Sequence, residues 1–84
     1  MTTRLFLFGT LGCHLCEEAE TMAAVLERSN FDVDIEMIDI AEQEQWQEKY
    51  AIRIPVVYHP ESRAELFWPF DIEEFKQFIS ELKK

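Results

Sequence analysis

Positively charged residues are scarce in this sequence of 84 residues, which has eight Lys and Arg against 17 Asp and Glu and a formal net charge of −9. Proteins that bind nucleic acids or anionic membrane surfaces present clustered Lys and Arg, so the composition disfavours both partners. No run approaches the roughly 20 apolar residues of a membrane-spanning helix. We therefore expect a protein that binds neither nucleic acid nor membrane.

Glycine and cysteine are also scarce, with two residues each. The glycines stand at positions 9 and 12, so no glycine-rich linker divides the chain, and we expect one domain over residues 1–84. Two cysteines are too few for the disulfide scaffold of a small secreted domain. Residues 1–12 weakly resemble a secretory signal, but removing them would delete the best predicted strand. The expected location is the cytoplasm, and the expected state is a monomer.

The sequence does contain a regular succession of apolar patterns, which predicts the element order β-α-β-α-β-β-α. These elements cover residues 4–8, 13–28, 31–40, a short helix begun by Asp39, 55–58, 63–68 and a last helix begun by Asp71. A strand–helix–strand unit of this length favours a parallel pair with a right-handed crossover, and the following hairpin adds two antiparallel strands. We therefore predict an α/β fold, a four-stranded mixed sheet with helices on both faces.

Apolar spacing also indicates which side chains face the core. In the first helix the stripe is expected to consist of Leu15, Ala19, Met22 and Leu26, widened by Ala23 and Val25. The short helix is mostly polar apart from Trp46 and Tyr50, which predicts a peripheral element. Asp71 and Glu74 have the spacing of a capping box. Residues 68–70, Trp-Pro-Phe, either pack against the core or form an exposed apolar docking patch.

The strongest chemical signal is the motif Cys13-His14-Leu15-Cys16, which follows a predicted strand and a glycine-containing turn and opens a helix. In that context the motif indicates a redox-active pair, because the start of a helix favours a thiolate. Residues three apart on a regular helix have Cβ atoms about 5–6 Å apart, and a disulfide needs about 3.5–4.5 Å. We therefore expect Cys13 at or before the cap as the attacking nucleophile, with Cys16 inside the helix as the resolving thiol.

Other interpretations of the two cysteines stay open. The pair is structural, or belongs to a module that binds partners or senses redox state without turnover. A zinc site would need both histidines, His14 and His59, beside the cysteines. An iron–sulfur carrier would have to share its cluster between two chains or with added thiols. His14 is either an exposed residue of the cap region or a charge that tunes Cys13.

The motif at Cys13, the segment Ile54-Pro55-Val56 before the third strand and the element order together resemble the glutaredoxin/thioredoxin family over nearly the whole chain. Residues 13–18, read with residues 68–71, are similar to a group of small bacterial glutaredoxin-like proteins. This resemblance implies a thioredoxin-type fold and a cis peptide bond at Ile54–Pro55 beside the cysteines. It implies further that the backbone of Ile54 pairs with a bound thiol substrate and that Arg53 lies near the rim of the site.

The sequence departs from the family at several positions. His14-Leu15 stands where dithiol glutaredoxins resemble C-P-Y-C, and bulky residues 67–70 stand where they carry the Gly-Gly turn that helps bind glutathione. The Asp that these glutaredoxins carry before the last helix, also for glutathione binding, is present here as Asp71. The resemblance implies a thiol–disulfide oxidoreductase with no bound cofactor, whose partners are a disulfide-containing protein or small molecule and a reductant, either glutathione or a reductase.

Overall fold

In the computed structural model, which describes residues 2–29 and 32–82, the elements follow the predicted order. They are β1 (Thr3–Gly9), α1 (His14–Arg28), β2 (Val33–Asp39), a 3₁₀ turn (Ile40–Glu42), α2 (Glu44–Tyr50), β3 (Val56–His59), β4 (Ala64–Phe67) and α3 (Ile72–Leu82). Phe31, the predicted first residue of the second strand, lies outside the described residues.

The four strands form one mixed sheet in the order β2-β1-β3-β4. β1 is parallel to β2, antiparallel to β3, and β3 is antiparallel to β4. The parallel pair arises because α1 returns the chain from the end of β1 to the start of β2. The predicted α/β architecture is therefore confirmed, with β1 as an inner strand.

Helices cover both faces of the sheet because successive side chains of a strand point to opposite sides. Leu5 and Leu7 of β1 belong to a cluster that also holds residues of α1 and α3, namely Ala19, Ala23, Leu26, Phe75 and Ile79. Phe8 belongs to a second cluster with Tyr50 of α2 and with Val56 and Tyr58 of β3. β1 thus carries one core on each face, and the site follows directly from its end.

The predicted apolar stripe of α1 is wrong at Leu15 and Val25, whose side chains are 43% and 44% exposed. The buried residues of this helix are Cys16, Ala19, Ala23 and Leu26. These positions keep the three-and-four spacing of a helical face, but the face begins at Cys16. Leu15 is one residue away, about 100° around the helix, and so lies beside the sheet-facing stripe.

The short helix α2 contributes more to the core than its polar sequence predicts. Tyr50 is fully buried, and its ring lies 4.9 Å from that of Phe8. The hydroxyl of Tyr50 donates to the carboxylate of Glu65, which also lies 3.4 Å from the ammonium group of Lys49. Burial raises the pKa of Tyr50, and the hydrogen bond to Glu65 raises it further. One aromatic residue therefore anchors an otherwise exposed helix.

The capping box at the start of α3 is confirmed. The carboxylate of Asp71 accepts from the N–H of Glu74 at 2.8 Å, and the carboxylate of Glu74 accepts from the N–H of Asp71 at 3.1 Å. Phe70, just before the box, is 4% exposed and lies edge-on to Phe75, with Trp68 in turn edge-on to Phe70. Residues 68–70 therefore pack against the core, and Pro69 is the exposed member of the three.

Replacing Asp71 by alanine is expected to lower the free energy of unfolding by about 1 kcal/mol, because the N–H of Glu74 loses its partner. Urea denaturation followed by circular dichroism measures this change. Asp71→Asn is the matched control, since the amide oxygen still accepts this bond, and it should cost only a few tenths of a kcal/mol. Equal costs for the two variants would contradict the assigned cap.

Candidate functional site

Cys13 is the N-cap residue of α1, with φ −90° and ψ 106°, outside regular helical geometry as expected from the disulfide spacing. Its sulfur accepts a hydrogen bond from the N–H of Cys16 at 3.2 Å, and its carbonyl accepts from the N–H of Glu17 at 3.1 Å. The sulfur therefore lies at the positive end of the helix, against an N–H group without an intrahelical partner. Such a position stabilises a thiolate.

The two cysteines are joined as a disulfide, and their Cα atoms lie 5.2 Å apart. That separation is within the usual range of about 4.4–6.8 Å for bridged cysteines. Cys13 is partly exposed, whereas Cys16 is 2% exposed and belongs to the sheet-facing side of α1. A partner can therefore approach the sulfur of Cys13 much more readily than that of Cys16.

Both glycines of the chain serve the turn that leads to this pair. A Cβ atom on Gly9 would lie 3.1 Å from the sulfur of Cys16, so the missing side chain makes room for that sulfur. Gly12 has a φ of +82°, in the left-handed region that side-chain-bearing residues rarely adopt. The first glycine thus provides space and the second provides a backbone conformation.

Gly9→Ala is expected to destabilise the reduced protein by about 1 kcal/mol, because the new methyl group crowds Cys16. The cost should fall in a Cys16→Ala background but not vanish, because that change removes the sulfur at 3.1 Å and keeps the Cβ of residue 16 at 3.2 Å. Thermal or urea denaturation under dithiothreitol gives the stability of four proteins: the natural protein, each single variant and the double variant.

Gly12→Ala is the matched control, since its new methyl group meets open space and its cost arises from the backbone alone. That cost should be the same with Cys or Ala at position 16. A Gly9→Ala cost that is equally independent of residue 16 would contradict the packing interpretation.

The Pro55 segment reaches the same end of the sheet. Val56 pairs with Phe8, so the antiparallel register places Pro55 opposite Gly9, whose neighbour is the sulfur of Cys16. The Ile54–Pro55 peptide bond is cis, and so is the Trp68–Pro69 bond, which the sequence did not predict. The N–H of Ile54 donates to the carbonyl of Tyr50 at 3.1 Å, so this N–H is already paired within the chain. The pairing of the Ile54 backbone with a substrate stays a prediction.

Three further residues were expected near the site. Arg53 is exposed, and its guanidinium group lies 5.3 Å from the centre of the Phe67 ring. The side chain of His14 is 95% exposed, with Nδ1 3.3 Å from the carboxylate of Glu17. Asp71 is held in its capping box. The roles of these three residues toward a substrate stay predictions.

Exposed apolar residues near the cysteines are a feature that the sequence did not predict. Leu11, two residues before Cys13, is 92% exposed, and Ile52, three residues before Pro55, is 94% exposed. Leu11 stands between Thr10 and Gly12, and Ile52 between Ala51 and Arg53, so no periodic pattern marks them. A contiguous apolar patch is typical of a surface that meets another molecule, whereas apolar residues that stand singly are common on any protein surface.

Metal-binding clusters and membrane-spanning helices are both absent from the described part of the chain. Within residues 2–29 and 32–82, no group of three or more His, Cys, Asp or Glu side chains is arranged to hold a metal ion. Over the same residues, no helix has both the length and the apolar character needed to cross a membrane.

The chain is similar to a known family and to solved structures. A family model described as a glutaredoxin-like domain (DUF836) matches residues 4–80. A structural-genomics target protein from X. campestris is 26% identical, with a TM-score of 0.75, over 90% of this chain and 95% of its own.

Further comparisons agree on the fold. A protein from Nitrosomonas europaea is 28% identical, with a TM-score of 0.74, over 93% of this chain and 92% of its own. Thioredoxin 1 from Thermosipho africanus is 23% identical, with a TM-score of 0.73, over 95% of this chain and 93% of its own, a likeness of fold. A search of curated proteins found no match.

Proposed function

The chain belongs to the glutaredoxin-like (DUF836) family, and from this premise we propose that it is a thiol–disulfide oxidoreductase that works through Cys13 and Cys16. The observation that carries the proposal is the asymmetry of the pair. One sulfur is partly exposed at the N-terminus of a helix, and its disulfide partner is buried one turn further on. That arrangement suits a nucleophile with a resolving thiol.

The reaction runs in two steps when the pair starts reduced. The thiolate of Cys13 attacks one sulfur of a substrate disulfide, so a Cys13–substrate disulfide forms and the other substrate sulfur leaves as a thiolate. The thiolate of Cys16 then attacks the sulfur of Cys13, which forms the intramolecular disulfide and releases the second substrate thiolate. Two electrons pass from the cysteine pair to the substrate, and solvent supplies the two protons that the released thiolates take up.

Residues around the pair have supporting roles in this proposal. The carbonyl of Ile54, beside Pro55, accepts a backbone hydrogen bond from the substrate during attack. Arg53 and His14 lie at the rim, where their charges act on the substrate or on Cys13. Asp71, the last remnant of the glutathione-binding region, contacts a substrate only if its capping bonds to Glu74 leave an oxygen available.

A protein disulfide is the substrate class that the surface favours. Leu11 and Ile52 offer exposed apolar contacts that a protein surface can cover. Residues 67–70 replace the small glycines that help to bind glutathione in related proteins. The oxidised pair is returned to its dithiol form by a reductase or by glutathione, in the reducing cytoplasm where we place the protein.

Equilibration in dithiothreitol and glutathione buffers of graded potential tests the proposal. Free thiols are trapped at each potential, and the redox state is measured by mass. We expect a reversible two-electron transition between about −180 and −270 mV, the range of known dithiol carriers. A pair that stays reduced throughout, or a disulfide that forms only when the protein unfolds, contradicts catalysis.

The second candidate is a thioredoxin-fold module that binds partners without turnover, favoured by the nearly complete exposure of Leu11 and Ile52. Capture of partner proteins by the natural protein and by a variant without both cysteines separates the two candidates, because the partners of a binding module survive the loss of the cysteines. A binding module does not need a disulfide that forms in the folded state, whereas the oxidoreductase depends on it.

A further inference from the structure

A cleft of about 180 Å³ opens beside the buried sulfur of Cys16. One wall comes from the turn between β1 and α1, including Leu11, and the other from the end of β2, including Met37 and Asp39. Glu20 of α1 completes the rim. The lining of the cleft is mostly apolar and includes two acidic residues, Glu20 and Asp39.

We propose that this cleft binds the side chain of a Lys or Arg next to the reactive cysteine of a protein disulfide. The inference rests on the proposed oxidoreductase function and names a class of substrate for it, namely protein disulfides flanked by a basic residue. Its basis is the match between the two chemical parts of the cleft and the two parts of a basic side chain.

A basic side chain has an apolar stem and a charged head, which prefer different surroundings. Leu11 and Met37, both exposed, provide apolar surface for the stem. Glu20 and Asp39 bear the carboxylates for the head. No basic side chain is among the residues that line the cleft in the described part of the chain, so the negative charge there is not neutralised locally.

The volume of the cleft favours a single side chain over a larger molecule. Pockets for drug-sized ligands measure about 300–1,000 Å³, and this cleft falls below that range at about 180 Å³. A side chain supplied by a bound protein fits the space, while the rest of that protein stays outside over the exposed apolar residues.

The cleft lies within reach of a substrate bonded to Cys13. The N–H of Cys13 donates to the carbonyl of Thr10 at 3.4 Å, and Thr10 and Cys16 both line the cleft. Met37 and Asp39 belong to β2, whereas Pro55 directly precedes β3, which pairs with the other edge of β1. The cleft and the Pro55 segment therefore flank the disulfide from opposite sides, and one substrate chain can contact both.

The test uses the reduced protein and three peptide disulfides, identical except for a Lys, Gln or Glu beside the cysteine. Each rate is divided by the rate at which uncharged dithiothreitol reduces the same peptide, which removes the intrinsic reactivity of the disulfide. We expect the corrected rate for the Lys peptide to exceed that for the Glu peptide about tenfold at low salt. The ratio should fall in about 0.5 M NaCl.

Two double variants locate the effect. Glu20→Gln with Asp39→Asn removes the cleft charges, while the Asn oxygen still accepts the bond from the N–H of Ala41 that Asp39 accepts now. This variant should lower the Lys-to-Glu ratio to about threefold or less. The control, Glu48→Gln with Glu81→Gln, removes two exposed charges elsewhere and should keep the ratio of the natural protein.

The outcomes separate the inference from the function on which it rests. Equal corrected rates for the three peptides, or the same loss of preference in both double variants, would overturn the cleft as a basic-residue site while the oxidoreductase function stands. Failure to reduce even the Gln peptide would overturn the proposed function and this inference together.

Discussion

Cys13→Ser is expected to lower the rate of disulfide reduction about a thousandfold or more, because a serine hydroxyl does not replace a thiolate as the attacking group. Cys13 is the more accessible of the two sulfurs, since Cys16 is 2% exposed and faces the sheet. The remaining thiol therefore cannot take over the attack in the folded protein. The measurement is the reduction of a peptide disulfide by the reduced variant, with released thiols counted over time.

Cys16→Ser is expected to behave differently, because it keeps the nucleophile and removes the resolving thiol. The first attack still occurs, and the Cys13–substrate disulfide then accumulates. Acid quenching followed by intact mass measurement should show a protein that has gained one substrate thiol per chain. The trapped protein also provides a direct route to natural substrates.

The two serine variants control for one another, since each makes the same change at one end of the same disulfide. Urea denaturation under reducing conditions should first show that both remain folded. Reduction that continues in Cys13→Ser, or the absence of any adduct in Cys16→Ser, would contradict the assignment of attacking and resolving roles.

The mixed sheet and the order of the elements along the chain could be predicted because β1 and the helices carry strong apolar patterns. Leu5 and Leu7 alternate with Phe6 and Phe8, and the structure places the two sets in separate clusters. The capping box at Asp71 was equally predictable, because it depends only on local spacing. These predictions, which depend on residues close together in the sequence, are therefore confirmed by the structure.

The features that could not be predicted depend on contacts between distant segments. The stripe of α1 is predicted to begin at Leu15, whereas its first buried residue is Cys16, and the predicted residues Ala19, Ala23 and Leu26 are buried. Asp39 and Cys16 line one cleft only because β2 pairs in parallel with β1. The spacing of residues within one strand or helix contains no information on which residues of another element lie close to them.

The role of Gly9 also depends on a contact with another element and could not be predicted from the sequence. Its position in a turn-like segment was visible, but the reason for a glycine is the sulfur of Cys16, which lies 3.1 Å from the place that a Cβ atom would occupy. A glycine can be required by the backbone conformation of a turn or by lack of space for a side chain, and the sequence does not distinguish these two reasons. The structure distinguishes them because Gly12, not Gly9, has the left-handed backbone.

Phe8→Ala is expected to cause the largest loss of stability, about 3–5 kcal/mol in the free energy of unfolding. Phe8 is fully buried, and its ring centre lies 4.9 Å from that of Tyr50 and 5.0 Å from that of Trp46. Truncation therefore leaves a cavity between β1 and α2. For a chain of this length the total stability is about 4–13 kcal/mol, so the loss is a large fraction of it.

Phe6→Ala is the matched control, on the same strand and the same face of the sheet. Phe6 is only partly buried at the margin of the cluster, so its truncation should cost about 1–2 kcal/mol. Thermal denaturation of both variants measures the difference. Equal losses would contradict Phe8 as the centre of this face, whereas a larger loss for Phe8 is the expected result.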